Sequence, residues 1–169
     1  FHYVGALDEG ESLHTLFSYF DLMGLPWKKL DEDCFDEVVI GEDTFAFANK
    51  HQRFYERMAA RFPKERDGLK KYVEFLKEVG DRIFSAFSND DSKQYTYSLL
   101  SRSAYEYLNE TIKDPLLRKV LSGTSLKMEL NAPTLPLYTF AQINDSFIRS
   151  AWRLRGGGSQ IADKLVEGI

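Results

Sequence analysis

Apolar residues recur along this chain at two different periods, and the change of period divides it into elements. Ser12 precedes Leu13, Leu16, Phe17, Phe20 and Met23, one face of an amphipathic helix that Gly24 ends and Pro26 keeps from continuing. A polar connector, residues 27–36, follows. The runs Glu37 to Gly41 and Thr44 to Ala48 are rich in β-branched and aromatic residues and are separated by Glu42-Asp43, which predicts a two-stranded antiparallel ribbon. Ahead of the first helix, Phe1-His2-Tyr3-Val4 reads as a short strand and residues 5–10 as a loop.

Helices account for most of what remains. Asn49 stands where it would cap a helix carrying Phe54, Met58 and Phe62, and Pro63 either stops that helix or occupies the first turn of the next. The clearest pattern is Leu69, Tyr72, Val73, Leu76, Val79, Ile83 and Phe87 at spacings of three and four, a single core-facing stripe. After a polar loop at 88–92, Leu100, Ala104, Tyr107, Leu108 and Ile112 mark another helix, closed by Asp114-Pro115. Residues 116–130 read as two short helical pieces broken at Ser122-Gly123, followed by a Pro-containing extended stretch over 131–137. From Pro136 onward Phe140, Ile143, Phe147, Ala151 and Leu154 favour helix. The expected fold class is α+β: one mainly helical domain over 1–169 with a small antiparallel sheet and no internal repeat.

Composition narrows the function classes. With 169 residues, 43% of them hydrophobic, the chain can bury one substantial core, and 13 Phe and 9 Tyr require aromatic walls in that core or in a pocket. The net charge of −4 leaves no basic stripe: even Lys64 to Lys77 interleaves Glu65, Asp67 and Glu74, so nucleic acid is excluded as the main partner. No apolar run approaches the roughly 20 residues of a membrane span. The single cysteine, Cys34, cannot form an internal disulfide, and its acidic neighbours raise the thiol pKa; low cysteine usage favours a cytoplasmic setting. Asn109-Glu110-Thr111 and Asn144-Asp145-Ser146 match the glycosylation pattern by chance, since both fall in predicted helices. The chain starts without Met or a charged leader and reads as a segment cut from a longer protein.

Candidate chemistry is sparse until the end of the chain. The three histidines, His2, His14 and His51, lie far apart, and the carboxylates Asp8, Glu9 and Glu11 near His14 read better as a solvated cluster than as a metal site. No nucleophile elbow, Walker sequence or dinucleotide fingerprint is present, and no residue stands out as a catalytic acid or base. Near the end, Gly156-Gly157-Gly158-Ser159-Gln160 precedes Ile161, Leu165 and Val166 at helical spacing, and a helix carrying Phe147, Trp152 and Leu154 is expected ahead of it. Three adjacent glycines bare the backbone for close approach by a ligand, and Ser159 falls at or near the N-cap; the plain alternative is a helix-turn-helix corner.

Trp152-Arg153-Leu154-Arg155-Gly156-Gly157-Gly158-Ser159-Gln160-Ile161-Ala162-Asp163-Lys164-Leu165 resembles the Gly-Gly-x-x-x-Leu-x-x-x-Leu segment by which the phytoene desaturase, carotenoid isomerase and retinol saturase group of flavoproteins re-enters its nucleotide-binding domain. Phe1-His2-Tyr3-Val4-Gly5 looks like the end of the group's Phe-Asp-x-Gly-x-His-Tyr-x-Gly segment, and Leu25-Pro26-Trp27 and Phe62-Pro63-x-Glu65 look like its middle region. The resemblance implies the inserted substrate domain of an FAD-dependent oxidoreductase acting on an apolar, polyene or isoprenoid, substrate by desaturation, saturation or isomerisation. It implies cofactor contacts at His2, Tyr3, Gly156, Gly157, Gly158 and Ser159, and substrate contacts at Tyr138 and Phe140. FAD would be held by the parent protein, so the fragment alone would be neither flavin-bound nor active, and its partners would be the rest of the parent and, through exposed apolar surface, a second copy. The competing expectation is a stand-alone helical ligand-binding or protein-interaction module.

Overall fold

The structure, a computed structural model, describes residues 3–128 and 134–168. The chain runs β1 (Val4–Gly5), α1 (Ser12–Tyr19), β2 (Trp27–Lys29), β3 (Asp36–Ile40), β4 (Asp43–Phe47), α2 (His51–Arg61), α3 (Arg66–Asp81), α4 (Asp90–Leu100), α5 (Ala104–Thr111), α6 (Pro115–Leu121), α7 (Leu137–Arg149), β5 (Ala151–Leu154) and α8 (Ser159–Glu167). Tight 3₁₀ turns occupy Pro63–Glu65, Ile83–Ser85 and Gly123–Lys127. The fold is α+β and mainly helical, as its apolar periods predict. One antiparallel sheet has the order β1-β5-β2, and β3 and β4 form a separate hairpin.

Helix α7 lies at the centre because both ends of its apolar stripe find partners. Its Leu137, Phe140, Ala141 and Ile148 are buried among Leu69, Tyr72, Leu76 and Val79 of α3, Phe54 and Met58 of α2, and Phe45 and Phe47 of β4. Rings run through this core in contact: Phe47 meets Phe54 edge-on at 5.3 Å, Phe54 meets Tyr72 at 6.5 Å, and Tyr72 meets Phe140 at 6.3 Å. Such pairs add about 0.5–1.5 kcal/mol each beyond their burial. Buried charge also holds α7. Asp145, with 3% of its side chain exposed, accepts from His51 Nε2 at 2.7 Å and Arg149 Nε at 2.6 Å, and Arg149 reaches Asp81 as well, so α2, α3 and α7 share one network.

Several elements differ from the sequence expectation, each for a local reason. Helix α1 stops at Tyr19 because Asp21 turns left-handed at φ 55°; Leu22 then buries in place of a continued stripe, and its carbonyl accepts from Trp27 Nε1. The connector at 27–36 contains strand β2, whose two lysines mask the alternation; Trp27 pairs with Leu154 and Lys29 with Trp152. Asn49 does not cap α2. Its amide donates to Phe147 O at 2.7 Å, and Lys50, at φ 70°, takes the N-cap position. Helix α3 ends at Asp81, so Ile83 and Phe87 are exposed rather than core. The polar stretch at 88–92 is the start of α4: Asn89 accepts from Ser92 N, and only Thr96 and Leu99 of that helix are buried, too few to show a period. The single helix expected through Leu100 and Ile112 is two, α4 and α5. Helix α7 ends at Arg149, and Trp152 and Leu154 belong to strand β5, not to a helix; Ala151 and Leu154 have helical spacing, but pairing on both sides decides for strand. Pro63 opens the next turn, and the break at Ser122-Gly123 is where it was expected. Most of the extended stretch expected at 131–137 lies outside the described residues.

Candidate functional site

A cavity of about 670 Å³ lies between β1, α1, α7 and the two 3₁₀ turns at Ile83–Ser85 and Gly123–Lys127. Its back wall exists because β1 runs directly against α7. A Cβ built on Gly5 would stand 2.3 Å from the carbonyl carbon of Ser146, so only glycine lets the strand come this close. Ala6 N then donates to Ser146 O at 2.8 Å and Ser150 O at 3.1 Å. Ile143 and Phe147 face the space from α7, Leu13 and Leu16 from α1, and Phe84 and Leu126 from the turns. Helix α1 has no buried residue: Leu13 and Leu16 of its apolar stripe face this cavity, and Phe17 packs on Trp27.

Several polar groups on the wall are already engaged. Ser146 Oγ donates to Ile143 O at 2.8 Å, and Gln142 Nε2 donates to Val79 O at 2.8 Å. At one end Tyr3, Asp36 and Lys127 form a closed cluster: Tyr3 Oη donates to Asp36 Oδ2 at 2.7 Å, and Lys127 Nζ donates to both at 2.5 Å. The Lys127 ammonium also stands 4.2 Å from the Tyr3 ring centre and 5.6 Å from that of Phe147. Burial, then the hydrogen bond to Asp36 and its charge, push the Tyr3 phenol far above its ordinary value. Burial pushes the Asp36 carboxyl up, but the hydrogen bonds from Lys127 and Tyr3 outweigh it and hold the group below the usual carboxylate range. Tyr3 therefore stays protonated, Asp36 ionised, and the cluster is neutral as a whole. Apart from Ser12 at the start of α1, the remaining lining carries no polar side chain, the environment of an apolar ligand rather than a charged one.

Asp8 and Glu11, two of the acidic residues near His14, have other work. Asp8 accepts from Lys29 and Lys50, both at 2.8 Å, and from Trp152 Nε1 at 2.9 Å, while Glu11 accepts from Ser150 Oγ at 2.5 Å. Together they tie the loop after β1 to β2, β5 and the start of α2. Among the described residues no group of three or more His, Cys, Asp and Glu side chains is arranged to hold a metal. Burial raises the pKa of Cys34, and Glu37 beside it adds to the rise, which disfavours the thiolate.

Of the residues singled out by sequence, Tyr3 is on the cavity wall. His2 lies outside the described residues. Gly156 and Gly157, at φ 87° and 100°, make the left-handed turn between β5 and α8, Gly158 is the N-cap and Ser159 the first helical residue, without a side-chain capping bond. The turn follows a strand, not a helix. It is exposed, it does not line the cavity, and Gln160 Nε2 folds back onto Arg155 O at 2.7 Å and Gly157 O at 2.9 Å. Phe140 is fully buried in the core and Tyr138 is half-buried beside Gln142; neither lines the cavity. Sequence reasoning missed Asp36 and Lys127, which lie 91 residues apart and meet only through the fold. Leu13 and Leu16 carried a signal, but a helical stripe facing a cavity looks the same as one facing a core. Comparison with protein-family models, curated proteins and solved structures finds no match for this chain.

Proposed function

We propose that this chain is the substrate-binding part of a flavin-dependent oxidoreductase that acts on an apolar substrate of the polyene or isoprenoid type, by desaturation, saturation or isomerisation. The observation that carries the reading is the apolar cavity with Tyr3 on its wall, the residue that the sequence resemblance sets on the flavin side. The exposed turn at Gly156 and Gly157 has no Cβ and fits the approach of a flat cofactor held by other parts of the polypeptide. Exposed Leu165 and Val166 on α8, a helix without a buried residue, fit packing against such a part.

The redox chemistry would belong to the flavin when it is bound. The residues of this chain would bind and orient. Leu13, Leu16, Ile143 and Phe147 exclude water from an apolar chain, and Tyr3, kept protonated, neither takes nor releases a proton near neutral pH. The test uses the complete polypeptide that contains this chain. It should purify yellow with a flavin absorbance spectrum, and an apolar dye such as Nile red should bind it. Ile143→Trp, which puts an indole into the cavity, should weaken dye binding at least about tenfold and leave flavin content unchanged. A flavin-free complete protein overturns the oxidoreductase reading; if that protein still binds the dye, a stand-alone ligand-binding module takes its place.

A further inference from the structure

Strand β2 lies at the outer side of its sheet, and register sets what it presents there. Arg155 N donates to Pro26 O at 3.2 Å and Leu30 N to Ala151 O at 2.9 Å, so every second residue of this stretch bonds to β5, Lys28 among them. The C=O of Trp27 and the N–H and C=O of Lys29 point the other way, and among the described residues no strand pairs with them.

The side chains here are sorted by face. Lys29, on the inner face, is held by Asp8 at 2.8 Å and Glu32 at 2.7 Å. On the outer face Lys28 stands directly across from Arg153, and Arg155 follows two residues on. All three are exposed, and none is joined to a carboxylate among the described residues. Like charges directly opposite each other destabilise a strand pair, and on a chain of net charge −4 these three invert the local sign. Part of the reason is protection of the edge. In antiparallel pairing of two copies centred on β2, Lys28 would meet its own counterpart in the position where side chains come closest, which repels a second copy. Edge protection does not require Arg153, which lies on the inner strand β5, or Arg155 just after it. Those two extend the positive face inward from the edge, where it attracts an acidic strand as strongly as it repels a basic one.

We propose that the open edge of β2 takes an extended acidic segment of a protein partner, which adds as a fourth strand and lays alternate carboxylates beside Lys28, Arg153 and Arg155. The backbone of Trp27 and Lys29 supplies the hydrogen bonds, and the three cations select against a basic segment or a second copy. None of these residues lines the cavity, so the proposal goes beyond the oxidoreductase reading and does not depend on what the cavity binds.

The probes are three fluorescein-labelled peptides, added to the complete polypeptide that contains this chain and followed by fluorescence anisotropy. They are Glu-Val-Glu-Val-Glu, its counterpart Lys-Val-Lys-Val-Lys, and the acidic peptide methylated on both Val backbone N–H groups. The unmodified acidic peptide should bind at least about tenfold more tightly than either of the others, and added salt should weaken it. Lys28→Glu combined with Arg153→Glu should exchange the preference, so that the lysine peptide binds the more tightly, a reversal that loss of structure would not produce. Equal binding of acidic and basic peptides, full binding of the methylated peptide, no binding of any peptide, or a preference that fails to reverse in a variant of unchanged helical content would each overturn the proposal. Phosphatidylglycerol vesicles that bind while the peptides do not would give this face to an anionic membrane, which overturns it as well.

Discussion

Asp8 shows how much one side chain can join. Its carboxylate receives the ammonium groups of Lys29 and Lys50 and the indole N–H of Trp152, so it links the loop after β1 to β2, α2 and β5. Burial raises its pKa, but the hydrogen bonds from Lys29, Lys50 and Trp152 outweigh that and hold it below the ordinary carboxylate value. A carboxyl depressed in the folded state contributes stability that is present above its unfolded value, about 3.9, and is lost as pH falls through the folded one. Unfolding free energy should therefore decline on acidification below about pH 4, and Asp8→Asn should be less stable at neutral pH but show a shallower acid decline. Chemical denaturation at a series of pH values checks this, and an unchanged slope in the variant would remove Asp8 from the account. The ends of this network were visible as residues but not as partners: Asp8 and Lys29 were read as a solvated acid and part of a polar connector, because ion pairing across 21 residues leaves no local period.

Between elements, the approach of β1 to α7 governs the cavity. Backbone stands against backbone at Gly5, with Ser146 and Phe147 leaving no room for a methyl group. Gly80 of α3 is as tight, but what fills its space is the side chain of Asp145, 1.7 Å from where a Cβ would be. The two alanine variants should differ in kind. Gly5→Ala should cost about 2–3 kcal/mol and also weaken Nile red binding, because the wall moves. Gly80→Ala should destabilise by displacing Asp145 from His51 and Arg149, while the dye still binds whatever fraction is folded. Urea titration with parallel dye binding separates them, and equal dye affinities would contradict this account of β1. At this scale legibility followed strength of period. The stripe of α3 up to Val79 and the β-branched and aromatic runs of β3 and β4 were readable, because burial on one face writes itself into sequence. Of the stripe read on α7, only Phe140 faces the core, whereas Ile143 and Phe147 face the cavity. Strands β2 and β5 were not, since three or four residues paired on a sheet carry too few positions to distinguish strand from helix or loop.

The whole molecule separates what a core requires from what a site requires. Its core lies along α2, α3 and α7; the part contributed by α2 and α3 follows the apolar spacing, while Leu117, Val120 and Leu121 of α6 and Ala141 and Ile148 of α7 joined it without a sequence signal. The cavity lies between segments contributed by residues near 3, 13, 84, 126 and 143, and no sequence pattern brings these together. Large apolar side chains remain exposed around it, Leu16, Ile83, Phe84 and Leu126 among them, and Leu126 is 77% exposed. Such a rim agrees with an apolar ligand passing over it. No helix among the described residues is long and apolar enough to cross a membrane.

The order β1-β5-β2 makes the first strand among the described residues a direct neighbour of the last, with Val4 opposite Trp152. Connectivity and architecture are then separable: the order in which the elements are synthesised is not what holds them in place. A circular permutant, with Gly168 joined to Tyr3 by a flexible linker of about ten residues and new ends opened between Phe87 and Ser88, should fold to the same helical content and bind Nile red as the natural order does. An unfolded permutant would mean that this sheet needs β1 to precede β5 in the chain.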